Sequence, residues 1–406
     1  MEQGGIGMSV FGVWMWPHSV HRQGARAVIA RCARIGITDI FFLTKGLAGT
    51  SSYPSAFVPA FCERDLLREL LDAAHTAGIR VHAWLTSASD AHYKSLHPES
   101  GRVHITRGAD KALISLTDEA YLTYMQRVVT ELCTGYTIDG LHLDYIRYNH
   151  LLYGWSEDDC ARYTAAGADM AHLRTLMERT FLRDDNNEPD CIFDAFRAGD
   201  RSVLALAEVR RRDVVHFAKT LTCTARAVRP DLPLSAALMP EGAYEDTAFS
   251  DLHYGQNYED AAALYDFVLP MAYSQAYGQD GAWVRRVAEG THKRGLKTIM
   301  GLHAYEGGTA ATLKADIAAL DSAPIEGTCL FREGAFVQAY MEGNILHLVN
   351  TLDVPITKAY TNNNCPLPLE NNPILSGEAR SFTLTSRPDF LSAFTGDKEV
   401  CVYLAP

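Results

Sequence analysis

The residues with the clearest chemical potential lie between Ile138 and Tyr148, in a segment that reads Ile-Asp-Gly-Leu-His-Leu-Asp-Tyr-Ile-Arg-Tyr. Its alternating apolar residues are typical of a buried strand, and the side chains of His142 and Asp144 share one face of that strand. A carboxylate at the end of a buried strand costs stability unless charged or hydrogen-bonding groups surround it. We therefore interpret Asp144, with Arg147 three residues later, as a chemical group.

A second carboxylate, Glu241, follows the apolar residues 237–240. Two carboxyl groups on neighbouring strands are the minimum equipment for cleaving a glycosidic bond: one is ionised and attacks or stabilises the sugar carbon, and the other protonates the leaving oxygen. Hydrogen bonds and Arg147 should keep Asp144 ionised, whereas burial after an apolar strand could raise the pKa of Glu241. The alternative is that Glu241 is a solvated loop carboxylate.

Two further acidic residues compete with Glu241 for the role of proton donor. Glu306 ends the sequence His-Ala-Tyr-Glu after one predicted strand, and Glu333 ends the sequence Phe-Arg-Glu after the next. Either residue could be the proton donor, but glutamates in such positions more often belong to the rim or bind substrate. The sequence therefore leaves the proton donor open among three candidates.

Aromatic and polar side chains are expected at the same strand ends. Sugar rings have apolar faces that stack on indoles and hydroxyl groups that need polar partners, so this mixture is typical of a carbohydrate pocket. Strand alternation places residues two apart on a shared face, so one tryptophan of a strand could instead fill the interior. The predicted substrate-binding residues are Trp14, Trp16, Lys45, His82, Trp84, His142, Arg147, Tyr148, Tyr273, His303, Glu306 and Glu333.

A zinc site is an alternative for three of these histidines. His82, His142, His303 and Asp144 could ligate the metal, and the protein would then be a metal-dependent hydrolase or deacetylase. However, the sequence has no His-x-His or His-Glu-x-x-His spacing among them. We therefore expect no metal ion and no cofactor.

The scaffold that positions these residues is predicted from the alternation of short apolar runs with amphipathic helices, several of which end at a glycine. Eight such repeats predict an α/β fold, a (β/α)8 barrel whose site lies where the strands end. No Gly-x-Gly-x-x-Gly follows strand one, which disfavours a dinucleotide-binding sheet. The predicted strands span residues 9–16, 38–44, 80–86, 138–143, 233–239, 267–273, 297–303 and 327–331, and the predicted helices 23–35, 64–77, 118–133, 208–228, 283–294 and 312–320.

Two domains are predicted along the chain. Residues 1–343 should form the catalytic barrel, and residues 344–406, with short strands between Asn- and Pro-rich turns, a small all-β appendage without catalytic signals. Residues 149–213 form an unusually long connection after strand four. Because βα loops lie on the catalytic face of a barrel, we expect this connection to form a lid or wall of the substrate site.

Composition limits the partners and the compartment. The chain has 406 residues, of which 47% are hydrophobic and 21% charged, as in soluble globular proteins, and no apolar window is long enough to span a membrane. A net charge of −12 argues against nucleic-acid and membrane partners and suits a neutral carbohydrate. The nine scattered cysteines and the lack of a signal peptide indicate a cytoplasmic protein, or a secreted one if a leader has been removed. The oligomeric state is not predicted.

The strand-four segment, Asp139-Gly-Leu-His-Leu-Asp-Tyr-Ile-Arg-Tyr148, resembles the signature of the family-10-like glycosyl hydrolases. Residues 208–216 (Glu-Val-Arg-Arg-Arg-Asp-Val-Val-His) and the stretch from Gln256-Asn-Tyr to Asp266-Phe-Val-Leu-Pro-Met-Ala-Tyr are similar to the same family. Asn149 stands where this family has proline, and Ala272 where its members often have aspartate.

That family is in turn similar to the alpha-amylase superfamily, in which an aspartate on strand four is the nucleophile and a glutamate on strand five the acid/base. The resemblance implies these roles for Asp144 and Glu241, and a retaining mechanism. We therefore predict a glycoside hydrolase that acts on an oligo- or polysaccharide. A carbohydrate-binding barrel without turnover is the first alternative, and the metal-dependent hydrolase is the second.

Overall fold

The computed structural model describes residues 10–183, 188–361, 365–369, 372–389 and 391–405. Eight parallel strands form a closed barrel in which strands consecutive in the chain are neighbours. This confirms the predicted (β/α)8 barrel, although residue 9 of the first predicted strand lies outside the described residues. The barrel strands are β1 Val10–Met15, β2 Asp39–Lys45, β3 Arg80–Thr86, β4 Gly140–Asp144, β5 Leu234–Leu238, β6 Phe267–Ala272, β7 Ile299–His303 and β8 Gly327–Phe331.

The barrel strands are apolar on both faces because helices cover the outside and large side chains fill the inside. One interior cluster includes Trp14, Phe41, Trp84 and Leu269, each from a different strand. The interior tryptophan of β1 needs space beside β7, two strands away: a Cβ at Gly301 would lie 2.8 Å from the Trp14 ring. The amino acid pattern therefore specifies a packed interior with a site only at its open end.

The helices of the barrel carry apolar stripes toward the strands, and side-chain caps mark where several begin. Asp65 and Asp118, for example, accept hydrogen bonds from the backbone amides of Arg68 and Tyr121 at the starts of their helices. The helices are α1 Pro17–Gln23, α2 Ala25–Arg34, α3 Leu66–Thr76, α4 Ala91–Leu96, α5 Glu119–Gly135, α6 Glu157–Ala165, α7 Met170–Met177, α8 Cys191–Arg197, α9 Arg201–Val228, α10 Ala248–His253, α11 Tyr258–Leu264, α12 Gly281–Lys293 and α13 Ala310–Ala319, with 3-10 turns at Pro98–Ser100 and Pro240–Ala243 and a π turn at Glu178–Leu182.

Two insertions interrupt the repeat. An antiparallel hairpin, Gly101–His104 with Gly108–Ile114, lies between β3 and α5 and was not predicted. The long connection after β4 contains α6, α7 and α8, and its apolar residues form a separate cluster with α9 and α10. Helix α9 begins at Arg201, seven residues before the predicted start. Residues 184–187 of this connection lie outside the described residues, and its role as a lid stays a prediction.

The C-terminal unit, whose strands lie between Val337 and Leu404, consists of two four-stranded sheets. This confirms an all-β appendage. Its first strand precedes residue 343 and pairs with the next one, so the sheet crosses the predicted division, which itself stays a prediction. The strands are β9 Val337–Glu342, β10 Ile345–Val349, β11 Lys358–Thr361, β12 Cys365–Pro366, β13 Ala379–Thr383, β14 Ser392–Thr395, β15 Lys398–Val400 and β16 Val402–Leu404. Their orders in the two sheets are β13-β10-β9-β16 and β12-β11-β14-β15.

All nine cysteines are unpaired. Within the described ranges, no helix combines the length and the hydropathy that crossing a membrane requires.

Candidate active site

A cavity of about 470 Å³ lies at the carboxyl ends of the barrel strands. Its walls come from the ends of β2, β3, β4, β6 and β8 and from the loops that follow β1 and β2. Five of the residues predicted from sequence line it: Trp16, Trp84, Asp144, Arg147 and Tyr273. These five residues bring together a carboxylate, a guanidinium and three aromatic side chains.

Asp144 is the last residue of β4 and is only 5% exposed. Its Oδ1 accepts hydrogen bonds from the Tyr145 amide at 2.6 Å and from Arg147 Nη1 at 3.2 Å. Its Oδ2 accepts one from Trp84 Nε1, also at 3.2 Å, across the β3–β4 pair. Tyr145 has a φ of +57°, which is uncommon for a bulky residue and marks the sharp turn at the end of this strand. Three donors thus fix the carboxylate while one side of it faces the cavity.

Arg147 lies in the cavity wall, and its guanidinium is 4.6 Å from the centroid of the Tyr145 ring. Its backbone is held from behind by Arg102 of the hairpin, whose Nη1 donates to the Arg147 carbonyl and to Asn149 Oδ1, both at 2.9 Å. The predicted site residue Tyr148 points away from the cavity. Its hydroxyl donates to Asp213 Oδ2 at 2.7 Å, so it anchors the loop that carries Arg147.

Glu241 lies in the 3-10 turn after β5 and is 7% exposed. Its Oε1 accepts hydrogen bonds from the hydroxyls of Tyr277 at 3.2 Å and Tyr254 at 3.4 Å, while its buried Oε2 has no hydrogen-bond partner. Burial raises the pKa of Glu241 above its ordinary value, although the two tyrosines and the charge of Arg147 oppose the shift. Glu241 is outside the cavity wall, and Arg147 is the side chain that interacts with both carboxyls.

Three predicted substrate-binding residues lie inside the barrel but deeper than the cavity. Trp14 Nε1 donates to His142 Nε2 at 3.2 Å, and His142 Nδ1 is 2.9 Å from Ser235 Oγ. Burial holds the pKa of His142 well below its ordinary value, so the ring is neutral. His82 Nε2 is 2.9 Å from Asp39 Oδ1, near the amino ends of the strands. These residues occupy the predicted face of their strands, but at a lower layer.

Two more predicted residues have partners within the protein. Lys45 is buried and pairs with Asp90 at 3.0 Å. His303 Nε2 contacts the Glu306 carbonyl oxygen at 3.0 Å, and its ring stacks on Tyr305 with centroids 4.0 Å apart. Neither residue lines the cavity.

Neither of the two competing proton donors lines the cavity. Glu306 has a side chain that is 77% exposed, and its ion pair with Lys398 of the C-terminal unit lowers its pKa. Glu333 is buried and accepts a hydrogen bond from Arg31 Nε of α2 at 3.0 Å. Of the three acidic candidates, only Glu241 interacts with a residue of the cavity wall that also contacts Asp144.

Sequence reasoning missed several residues of the site. The cavity wall also includes His18, Phe61, Tyr145 and Phe331. Tyr145 lies within the strand-four motif and Phe331 ends β8, so both carried a positional signal. His18 lies in the short helix α1 and Phe61 on an irregular loop, and neither carried such a signal. Among the described residues, no group of three His, Cys, Asp or Glu side chains is arranged to hold a metal ion.

No protein-family model and no curated protein matches the sequence. Solved structures do match the fold. The glycoside hydrolase domain of PgaB (BpsB) from Bordetella bronchiseptica has a TM-score of 0.62 and 14% identity, with 80% of this chain and 94% of that chain covered. The catalytic domain of a beta-amylase from Paenibacillus polymyxa has a TM-score of 0.58 and 10% identity, with 80% and 92% covered.

A beta-galactosidase from the psychrophilic Marinomonas ef1 has a TM-score of 0.57 and 13% identity over 80% of this chain. The chain spans about half of that protein, 54% of its length. At these identities the likeness shows a shared barrel fold. The structural neighbours are glycoside hydrolases, whereas membership of the family-10-like group and the relation to the alpha-amylase superfamily stay predictions.

Proposed function

We propose that this protein is a glycoside hydrolase that cleaves an oligo- or polysaccharide with retention of configuration, with Asp144 as nucleophile and Glu241 as acid/base. The observation that carries the proposal is the environment of Asp144. Its carboxylate is oriented by three donors at the end of a barrel strand and has one side toward an aromatic cavity.

In the proposed reaction, a sugar ring stacks on the aromatic side chains of the cavity, such as Trp16 and Tyr273. Asp144 attacks the anomeric carbon while Glu241 donates its proton to the leaving oxygen, giving a glycosyl ester and a free alcohol. Glu241, now ionised, then removes a proton from water, which attacks the same carbon and releases Asp144. Burial of Glu241 suits this role because a raised pKa favours the protonated form, which is the form that donates to the leaving oxygen.

Arg147 links the two carboxyls. It donates to Asp144 Oδ1, and its charge opposes the raised pKa of Glu241. When Glu241 loses its proton, the nearby guanidinium stabilises the new carboxylate. Glu306 and Glu333 are less suited to the proton-transfer role because each has its own ion-pair partner away from the cavity.

The test is turnover of a panel of 4-nitrophenyl glycosides and natural oligosaccharides by the wild type, Asp144→Asn and the control Asp139→Asn. Asp139 is a partly exposed aspartate before the same strand, paired with His75 at 2.8 Å. We expect at least one substrate to be cleaved by the wild type and the control and not by Asp144→Asn, with the first product formed in the configuration of the substrate. Equal activity of the two variants on every cleaved substrate would contradict the proposal.

A carbohydrate-binding barrel without turnover is the second candidate, and the position of Glu241 favours it. Arg147, rather than Glu241, forms the cavity wall beside Asp144. Calorimetric titration of the wild type with the same oligosaccharides distinguishes the two. Binding without hydrolysis of any panel member would support the second candidate.

A further inference from the structure

A second compartment adjoins the cavity on the side of the C-terminal unit. It has a volume of about 440 Å³ and lies between the residues that follow β7 and β8 and the strands β14 and β15. Trp16 and Phe331 line both spaces. The two compartments therefore adjoin at these side chains, and together, from Asp144 to the C-terminal unit, they are termed the groove. Each is the size of a small-molecule site.

Arg332 lies against the aromatic wall that the two compartments share. Its guanidinium carbon lies 3.6 Å from the centroid of the Trp16 ring, close enough to stack on the indole. The C-terminal unit forms the other side of the groove, where Thr395 and Lys398 line the second compartment. Both the barrel and the appendage thus supply walls of the second compartment.

Other cations near this compartment already have acidic partners. Arg22 pairs with Asp353 at 2.5 Å, and Lys398 pairs with Glu306. Arg332 has no ion pair with any residue in the described part of the chain, and its hydrogen bond to the protein, from Nη1 to the Glu333 carbonyl, is long at 3.4 Å. Most donors of this guanidinium are therefore available to a ligand.

The environment of Arg332 favours an oxygen-rich ligand. Burial lowers the pKa of this residue, which reflects the cost of holding a cation partly away from water. Stacking fixes the plane of the guanidinium, and the N–H donors on its edge can then hydrogen-bond to acceptors of a ligand. Sugar hydroxyl and ring oxygens supply such acceptors, and Tyr305 and Phe331 supply aromatic faces in the same compartment.

We propose that the second compartment binds further units of the same oligosaccharide, an inference that rests on the proposed function. Arg332 is then the residue that selects longer chains. The substrate is then an oligosaccharide or polysaccharide long enough to occupy both compartments. The C-terminal unit is part of the binding groove rather than a separate appendage.

The test measures affinity as a function of chain length without requiring turnover. Malto-, cello-, xylo- and chito-oligosaccharides of two to six units are titrated into Asp144→Asn, into Asp144→Asn with Arg332→Gln, and into Asp144→Asn with Arg212→Gln as a control. Arg212 is an exposed arginine on α9, away from the groove. We expect Kd to fall with chain length in the first and third proteins, and Arg332→Gln to raise Kd for six units by about 10-fold and for two units by less.

A second variant approaches the groove from the other wall. Thr395→Trp should weaken binding of the six-unit chain by steric exclusion while the melting temperature stays near that of the parent. An affinity that does not depend on chain length, or length dependence that survives both variants, would overturn the inference. Neither result would affect the two-carboxylate proposal, which aryl glycoside turnover tests separately.

Discussion

Two buried aspartates, Asp39 and Asp144, lie at opposite ends of the barrel and have similar neighbours. Asp39 begins β2 and is 2% exposed. It pairs with Arg80 through two hydrogen bonds of 2.8 Å and with His82 at 2.9 Å. Asp144 ends β4 and also has an arginine, but the Arg147 and Trp84 hydrogen bonds are longer, at 3.2 Å each.

The two carboxylates differ in their surroundings. Hydrogen-bond partners within the protein occupy the carboxylate of Asp39, whereas the carboxylate of Asp144 has one side open to a ligand. Burial alone would raise the pKa of Asp39, but its hydrogen bonds to His82 and Arg80 outweigh burial and hold that pKa well below the ordinary value. The cavity of about 470 Å³ borders Asp144, and Asp39 is not among the residues that line it. The same residue types therefore stabilise the barrel at one end and, in the proposed function, carry out the chemistry at the other.

The largest expected effect separates the two aspartates directly. Asp144→Asn removes the nucleophile and should lower kcat/KM by about 10³-fold or more, with a near-normal melting temperature. Asp39→Asn should instead lower the free energy of unfolding by about 1–3 kcal/mol and leave kcat/KM of the folded protein within a few-fold. Steady-state kinetics and urea unfolding of both variants measure this contrast. A reversed pattern would mean that the wrong end of the barrel has been assigned to chemistry.

The next effect concerns the proton donor. Glu241→Gln should lower kcat by about 10²- to 10⁴-fold on substrates with poor leaving groups and much less on dinitrophenyl glycosides, which need no protonation. The raised pKa of Glu241 predicts that kcat/KM of the wild type falls as pH rises through that pKa, because the acid form is lost. Glu306→Gln is the matched control. If Glu306→Gln removed the basic limb and Glu241→Gln kept it, the assignment would be wrong.

A smaller contrast is expected between the two arginines. Arg147→Gln removes the cation shared by the two carboxyls and should lower kcat by about 10- to 100-fold. Arg80→Gln should lower the free energy of unfolding by only about 1 kcal/mol, because the Arg80 side chain is largely exposed, and should not change kcat. Parallel kinetic and thermal unfolding data test the pair. Comparable kinetic losses for both variants would erase the proposed distinction between the ends.

The smallest effect is the pH dependence of stability. Because the pKa of Asp39 is lower in the folded state than in the unfolded state, its ionised form contributes stability above the unfolded pKa of about 4. That contribution is lost as pH falls below this value toward the folded pKa. The stability difference between wild type and Asp39→Asn should therefore shrink between about pH 5 and pH 2 in urea titrations. A constant difference over this range would contradict the account of Asp39.

The barrel was predictable because its strands and helices are encoded locally. Apolar runs predicted the eight strands, and Gly36, Gly78 and Gly295, each with positive φ, follow helices as expected. The hairpin at residues 101–114 was missed because its strands mix polar and apolar residues and contain no apolar run. Strand Val337–Glu342 was assigned to the barrel region because pairing with later strands is not visible in its own sequence.

The site was predictable only in part, because alternation gives the face of a strand and not the depth. His142 and Asp144 share a face as predicted, but His142 lies one layer lower, bonded to Trp14. The partners of Glu241, Tyr254 and Tyr277, come from segments after β5 and β6 that only the tertiary fold brings together. Residues on irregular loops, such as Phe61, have no periodic pattern that would reveal their position.

The most direct test of the central claim is covalent trapping of the nucleophile. The protein would be treated with an activated fluorosugar of the type that the substrate panel identifies, digested, and analysed by mass spectrometry. We predict one added glycosyl mass on the peptide that contains Asp144, with no label on Asp144→Asn. Label on a different carboxylate, or hydrolysis with inversion and no label, would contradict the assignment of Asp144.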